Sequence, residues 1–158
     1  MATGTIMLPV GSPSEMTTQI DQAKDLRLLF DAGTVEHAVW QFRMPANYAS
    51  ALVAKIQYTM ASATTGKVDF EVSVMAVTDA EAQDLDADSY DSVNAANATV
   101  PGTAGYLDEI SITLTNADSV AVGDYVRIKL ERDADDGTDD TAAGDCEVRN
   151  FVVEYTTS

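Results

Sequence analysis

Apolar residues at every second position, sustained through segment after segment, constrain this chain more than any other feature. In "HAVWQFRM" Ala38, Trp40, Phe42 and Met44 fall on one side and His37, Val39, Gln41 and Arg43 on the other, the mark of a strand with one buried face. Leu52, Ala54, Ile56, Tyr58 and Met60 repeat the pattern. "KVDFEVSVMAV" places Val68, Phe70, Val72, Val74 and Ala76 inward against Asp69, Glu71 and Ser73. "ISITL" and "YVRIKLE" do the same, with Ile110, Ile112 and Leu114, then Val126, Ile128 and Leu130, on the inner side. In the last segment Cys146 and Val148 share one parity while Phe151, Val153 and Tyr155 share the other. One extra residue near Arg149 and Asn150, a β-bulge, returns the apolar side to the core.

Weaker strands are expected at "TIMLPV", "LRLLFD" and "VNAANATV". The turn signals between strands are "GSPS", "DAG", "MPAN", "TTG", "VPGTAG" and "NADSVAVGD". Helical periodicity is confined to short turns at "MPANYAS" and "TDAEAQDL". About eight antiparallel strands joined by such turns predict an all-β fold, an antiparallel β-sandwich with jelly-roll-like topology; an immunoglobulin-like sandwich is the second choice. At 158 residues the chain reads as one domain, 1–158, with residues 1–24 as a candidate N-terminal arm.

Charge excludes several partners. Nine Lys and Arg against 26 Asp and Glu give a net charge of −17, and the basic residues are scattered, so neither nucleic acid nor an anionic membrane finds a basic patch. No run approaches the roughly 18 apolar residues of a membrane helix. The start "MATGTIMLPVG" lacks the basic region of a signal peptide, so folding in a cytoplasm is expected. The single cysteine, Cys146, rules out an internal disulfide and reads as a buried thiol. "NAT" at Asn97 matches a glycosylation sequon and is read as chance.

No catalytic reading is supported. His37, the one histidine, falls on the outer strand face, and the nucleotide-binding, serine-hydrolase and zinc-protease patterns are missing. The expectation is that the chain is not an enzyme and needs no cofactor, with calcium as the one exception to weigh. "RDADDGTDDTAAGD" packs five aspartates into eight residues, Asp133 to Asp140. As an EF-hand beginning at Asp133 it fails, since Gly137, Thr138 and Gly144 fall at positions five, six and twelve. An irregular calcium site at Asp135, Asp136, Asp139 and Asp140 is the metal candidate, against a solvated Asp-stabilised turn with Arg132 tied to Asp133 or Asp145. The second acidic stretch, "DAEAQDLDADSYD", is expected at the opposite end of the sandwich. Of the six tyrosines, Tyr125 is the best placed for a sugar platform or a subunit contact.

"AVWQFRMPANY", "AKIQYTMASATTGKVDFEVSVMAV" and "GDYVRIKLERDADDGTDDTAAGDCEVRNFVVEY" resemble a family of small tailed-phage virion structural proteins. The shared features are the aromatic strand ending in a turn (Trp40 to Pro45), a hairpin (Tyr58 to Val68), and Val126 to Asp133. They continue with Asp140-Thr141 and the closing Tyr155, so the likeness spans residues 38 to 155. Tyr58 stands where tryptophan is expected. The resemblance implies a trimeric capsid decoration or cement protein, or a head-fibre component, located in the virion. Its partners would be itself, as a homotrimer, and the major capsid protein or other virion proteins. Apolar residues of the outer parity, Val39, Val53 and Met75, with Tyr125, are then the interface candidates. The alternative is a calcium-stabilised carbohydrate-binding or adhesive β-sandwich module.

Overall fold

The computed structural model describes residues 2–10, 26–79 and 82–158, and the backbone of 18–20. Ten strands follow in chain order: β1 (Thr3–Leu8), β2 (Thr18–Ile20), β3 (Leu26–Phe30), β4 (Glu36–Arg43), β5 (Tyr48–Met60), β6 (Lys67–Val77), β7 (Asn94–Thr99), β8 (Asp108–Leu114), β9 (Tyr125–Arg132) and β10 (Cys146–Thr157). They form two antiparallel sheets. One runs β2-β3-β10-β5-β8, with β1 also on β10, and the other runs β4-β9-β6-β7.

Strands β3 to β10 alone give the orders β3-β10-β5-β8 and β4-β9-β6-β7, so each consecutive pair from β3 to β6 crosses between the sheets. This is the jelly roll, the all-β sandwich that the alternation predicts; β1 falls on the expected strand at "TIMLPV", whereas the short β2 is not among the expected strands. Two strands of the candidate arm are paired: β1 lies against β10 in register from Thr3↔Thr156 to Leu8↔Phe151, and β2 against β3 from Thr18↔Leu28 to Ile20↔Leu26. The arm's residues 1, 11–17 and 21–24, including the whole "GSPS" turn signal, lie outside the described residues, as do 80 and 81 of "TDAEAQDL". "MPANYAS" holds the expected short turn, closed by the Tyr48 N–H bond to the Pro45 carbonyl at 3.1 Å, and runs directly into β5 at Tyr48.

The core follows the two inner faces. Phe70 of β6 meets Phe30 edge-on at 6.4 Å and Tyr58 at 5.5 Å, and Trp40 tilts against Phe151 at 5.0 Å. These rings join the sheets across the sandwich, the arrangement in which aromatic pairs add to their area burial. Trp40 stays fully satisfied by donating from its indole nitrogen to the Pro9 carbonyl at 3.0 Å. The expected bulge is present: the β10–β5 register shifts between Val148 and Asn150.

Sheet β4-β9-β6-β7 departs from the simple picture on its outer side. Residues of the solvent parity, Val39, Asp69, Ser73 and Met75, are buried there. The connection between β6 and β7 covers part of this face. Tyr90 sets its ring 5.9 Å from the Lys129 ammonium, Asp91 N–H bonds the Val74 carbonyl, and Gln83 and Leu85 face Gln41 and Tyr125. Val39 (5% exposed) and Met75 (0%) are thus covered within one chain, which corrects their assignment as contacts for a second copy. Val53 is half-buried on β5 and Tyr125 half-buried on β9.

Candidate ligand groove and acidic group

Two places on the covered sheet bring together groups whose chemistry the scaffold does not use up. The first is a groove of about 720 Å³, lined by the ends of β4 and β6, by Asp79, Gln83 and Leu85, and by the start of β9. It is within the size range of small-molecule sites. Its walls mix apolar surface from Phe42, Val77 and Leu85 with the polar heads of Gln41, Arg43, Asp79, Gln83 and Tyr125.

Several of these heads are held before any ligand arrives. The Tyr125 hydroxyl donates to Gln41 Oε1 at 2.8 Å, across the β4–β9 pair. Arg43 donates from Nε to the Gly123 carbonyl at 3.0 Å, and Gly123 itself adopts φ 86°. A β-carbon at Gly123 would lie 3.3 Å from the Arg43 guanidinium, so glycine here gives both the turn and the space for Arg43. Asp124 anchors the same turn from below, accepting from the Ala121 N–H at 2.7 Å and from Thr78 Oγ1 at 3.0 Å. Gln83 donates to Asp88 Oδ1 at 3.3 Å. These bonds orient several of the groove's polar groups, as a preorganised site requires.

The second place is at the opposite end of the β6–β9 pair. Asp69 and Glu71 share the outer face of β6, and the register Phe70↔Arg132 carries Asp133 alongside them. Ligand oxygens of Asp69, Glu71 and Asp133 all lie within 4.8 Å of one another, a group that can hold a metal ion. Burial first, and then the charges of Asp133, Asp139, Asp136 and Asp140, push the Asp69 carboxyl up to about 6. Glu71 is raised too, by burial and then by Asp133, Glu131 and Asp69, against a lowering by Lys129.

The four aspartates singled out from the sequence are placed differently. Asp140 is the counterion of Arg132, which is wholly buried and binds both of its oxygens at 2.8 Å. Asp136 accepts from the Thr138 and Asp139 N–H groups at 2.8 and 3.0 Å, closing a turn that holds its carboxyl below the usual range. Asp139 receives the Lys67 ammonium at 3.1 Å. Asp135 is exposed on the loop surface. Arg132 ties the loop to Asp140 rather than to Asp133 or Asp145.

The sequence reading missed Asp69, Glu71, Gln41, Arg43 and Gln83 as site residues. Asp69 and Glu71 were visible as two acids at a two-residue spacing in β6, but their meeting with Asp133 depends on the β6–β9 register. The groove needs the return of segment 82–93, for which the sequence carries no periodic signal.

No protein-family model matches this chain, and no curated protein does. Solved structures similar to it include the C-terminal family 6 carbohydrate-binding module of LamC, a marine laminarinase from Zobellia galactanivorans (10% identity, 97% of this chain and 100% of that one, TM-score 0.49). A family 35 carbohydrate-binding module from Cellvibrio japonicus is similar at 8% identity, covering 98% and 99% of the two chains with a TM-score of 0.49. A family 36 module in complex with calcium and xylotriose is similar at 16% identity, 94% and 97% coverage and a TM-score of 0.45. These neighbours are carbohydrate-binding modules, whereas the sequence resemblance pointed to phage virion proteins. The virion expectation, with its capsid decoration and cement roles, is corrected accordingly.

Proposed function

We propose that this protein is a non-catalytic carbohydrate-binding module that takes a neutral glycan in the groove between β4, β9 and the residues Asp79, Gln83 and Leu85. The observation that carries this reading is the composition of the groove. A sugar ring has apolar C–H faces and a rim of hydroxyls, each at once donor and acceptor. Its complement is apolar surface beside planar groups that bond neighbouring hydroxyls in pairs. Leu85, Phe42 and Val77 supply the apolar surface, and Gln41, Gln83, Asp79 and Arg43 supply amide, carboxylate and guanidinium groups around it. Tyr125 offers both a ring and a hydroxyl, already oriented by Gln41.

Neutrality of the ligand follows from charge. At −17 the protein repels polyanionic glycans over the whole approach, and Arg43 is the single cation among the groove's described lining residues. In the same reading the sandwich is stabilised by calcium, held away from the groove.

Affinity gel electrophoresis tests this with a panel of neutral soluble polysaccharides, including β-glucans, xylans, mannans and galactans. Retardation by at least one of them, abolished in Tyr125→Ala and Gln41→Ala, is the expected result. Migration unaffected by every member of the panel, or retardation that survives both substitutions, contradicts it.

A further inference from the structure

We propose that Asp69, Glu71 and Asp133 form a calcium site that fastens β6 to the chain leaving β9. The three carboxylates converge within 4.8 Å, and the backbone holds them there: the Asp133 N–H donates to the Asp69 carbonyl at 3.2 Å. Asp69 is only 5% exposed, and among the described residues its carboxylate receives neither a hydrogen bond nor an ion pair.

That condition is unusual for a carboxylate, because a buried charge costs several kcal/mol unless something compensates it. The neighbouring cations are engaged elsewhere. Lys67 is on Asp139 at 3.1 Å, Lys129 on Glu131 at 3.0 Å, and Arg132 points to the inner side, on Asp140. One buried acid with two half-buried acids converging on it is stabilised by a cation. At neutral pH a divalent ion supplies the charge.

The donor set selects the ion. Three carboxylates and no nitrogen or sulfur ligand suit a hard cation and not zinc. Calcium accepts irregular, partly bidentate carboxylate geometry and completes its shell with water, whereas magnesium demands a near-ideal octahedron. Glu71 and Asp133 are half-buried, so the site opens to solvent on one side and leaves room for those waters.

The ion is structural and remote from the glycan. Eight residue rises of extended strand separate Asp69 from Val77 in the groove, about 26 Å. The inference rests on the glycan-binding reading only for its expectation of calcium; the groove contributes nothing to it.

The test is a calorimetric titration of the chelator-stripped protein with CaCl₂, together with thermal melts in millimolar CaCl₂ or MgCl₂. One ion per chain is expected to bind, and calcium is expected to raise Tm more than magnesium does. Asp69→Asn and Glu71→Gln should each weaken binding by about tenfold or more, while Asp135→Asn should leave it unchanged. Stripped Asp69→Asn should melt no lower than the stripped parent, since the amide removes repulsion, so its lost response would not reflect unfolding. No heat and no melting shift in the parent would overturn the proposal. So would an unchanged response in Asp69→Asn and Glu71→Gln, or equal effects of both metals. Polysaccharide retardation of the same samples is read separately: calcium binding without retardation removes the glycan reading alone, and retardation without calcium binding removes the ion site alone.

Discussion

Arg132 and Asp140 meet through two 2.8 Å hydrogen bonds inside the protein, at the point where β9 runs into its acidic loop. Arg132 continues the inward parity of Val126, Ile128 and Leu130, so the strand delivers a guanidinium to the end of the core. It satisfies itself there by donating also to the carbonyls of Gly144 at 2.8 Å, Ala142 at 3.0 Å and Phe30 at 3.4 Å. One side chain thereby fixes both limbs of the loop and the end of β3.

Removing one member of this pair should be costly. Arg132→Met or Asp140→Asn is expected to lose about 3–5 kcal/mol in urea denaturation, the usual penalty for stranding a buried charge or its partner. The double variant Arg132→Met/Asp140→Leu should not recover fully, although many buried pairs tolerate apolar replacement. Its three stranded carbonyls cost about 1–3 kcal/mol each when left without donors. A double variant as stable as the parent would show that the carbonyls find water.

The β5–β6 turn is a second fixed point. Gly66 has φ 92°, and a β-carbon on it would lie 2.6 Å from the Thr141 carbonyl oxygen. Gly66→Ala therefore combines backbone strain with a collision against the acidic loop, and should lose about 1–3 kcal/mol or more. Gly102→Ala, with open space at its β-carbon, should stay within about 0.5 kcal/mol of the parent by the same denaturation measurement.

Cys146 should be chemically silent. It is fully buried in β10, and desolvation first, with nearby acids adding to it against Arg132, pushes its thiol far above the ordinary range. A thiol reagent at pH 8 should label the folded protein only at the rate of unfolding and the denatured protein at once. Rapid labelling under native conditions would contradict this packing.

Glycan binding should be nearly indifferent to salt. A neutral ligand releases no counterions and meets no long-range field, so retardation in the gel should persist when ionic strength rises from low to several tenths molar. Loss of binding over that range would indicate a charged ligand drawn to Arg43.

Strand alternation made the sandwich legible, down to the bulge in β10, because a buried face leaves an unambiguous period of two. The same logic misjudged the outer face of β6. Asp69 and Ser73 have the solvent parity and are nonetheless buried, since alternation assigns a side of a sheet and says nothing of what later covers it. Val39 and Met75 failed as interface candidates for that reason. The density of aspartate in "DADDGTDD" drew attention to Asp135, Asp136, Asp139 and Asp140, whereas three of these are spent on Arg132, Lys67 and a turn. The carboxylates of Asp69, Glu71 and Asp133 converge instead where β6 and β9 align, and register between distant strands leaves no local trace in sequence.

The most direct test of the glycan-binding account is a ¹H–¹⁵N NMR titration of the calcium-loaded protein with an oligosaccharide from the polysaccharide that retards it most. The account predicts shift changes centred on the Gln41 and Gln83 side-chain amides, the Arg43 Nε–H and the backbone of Tyr125 and Leu85, with Asp69 and Asp133 undisturbed. Changes centred instead on the outer face of the other sheet, around Lys55, Glu109 and Ser111, or no changes at saturating sugar, would contradict it.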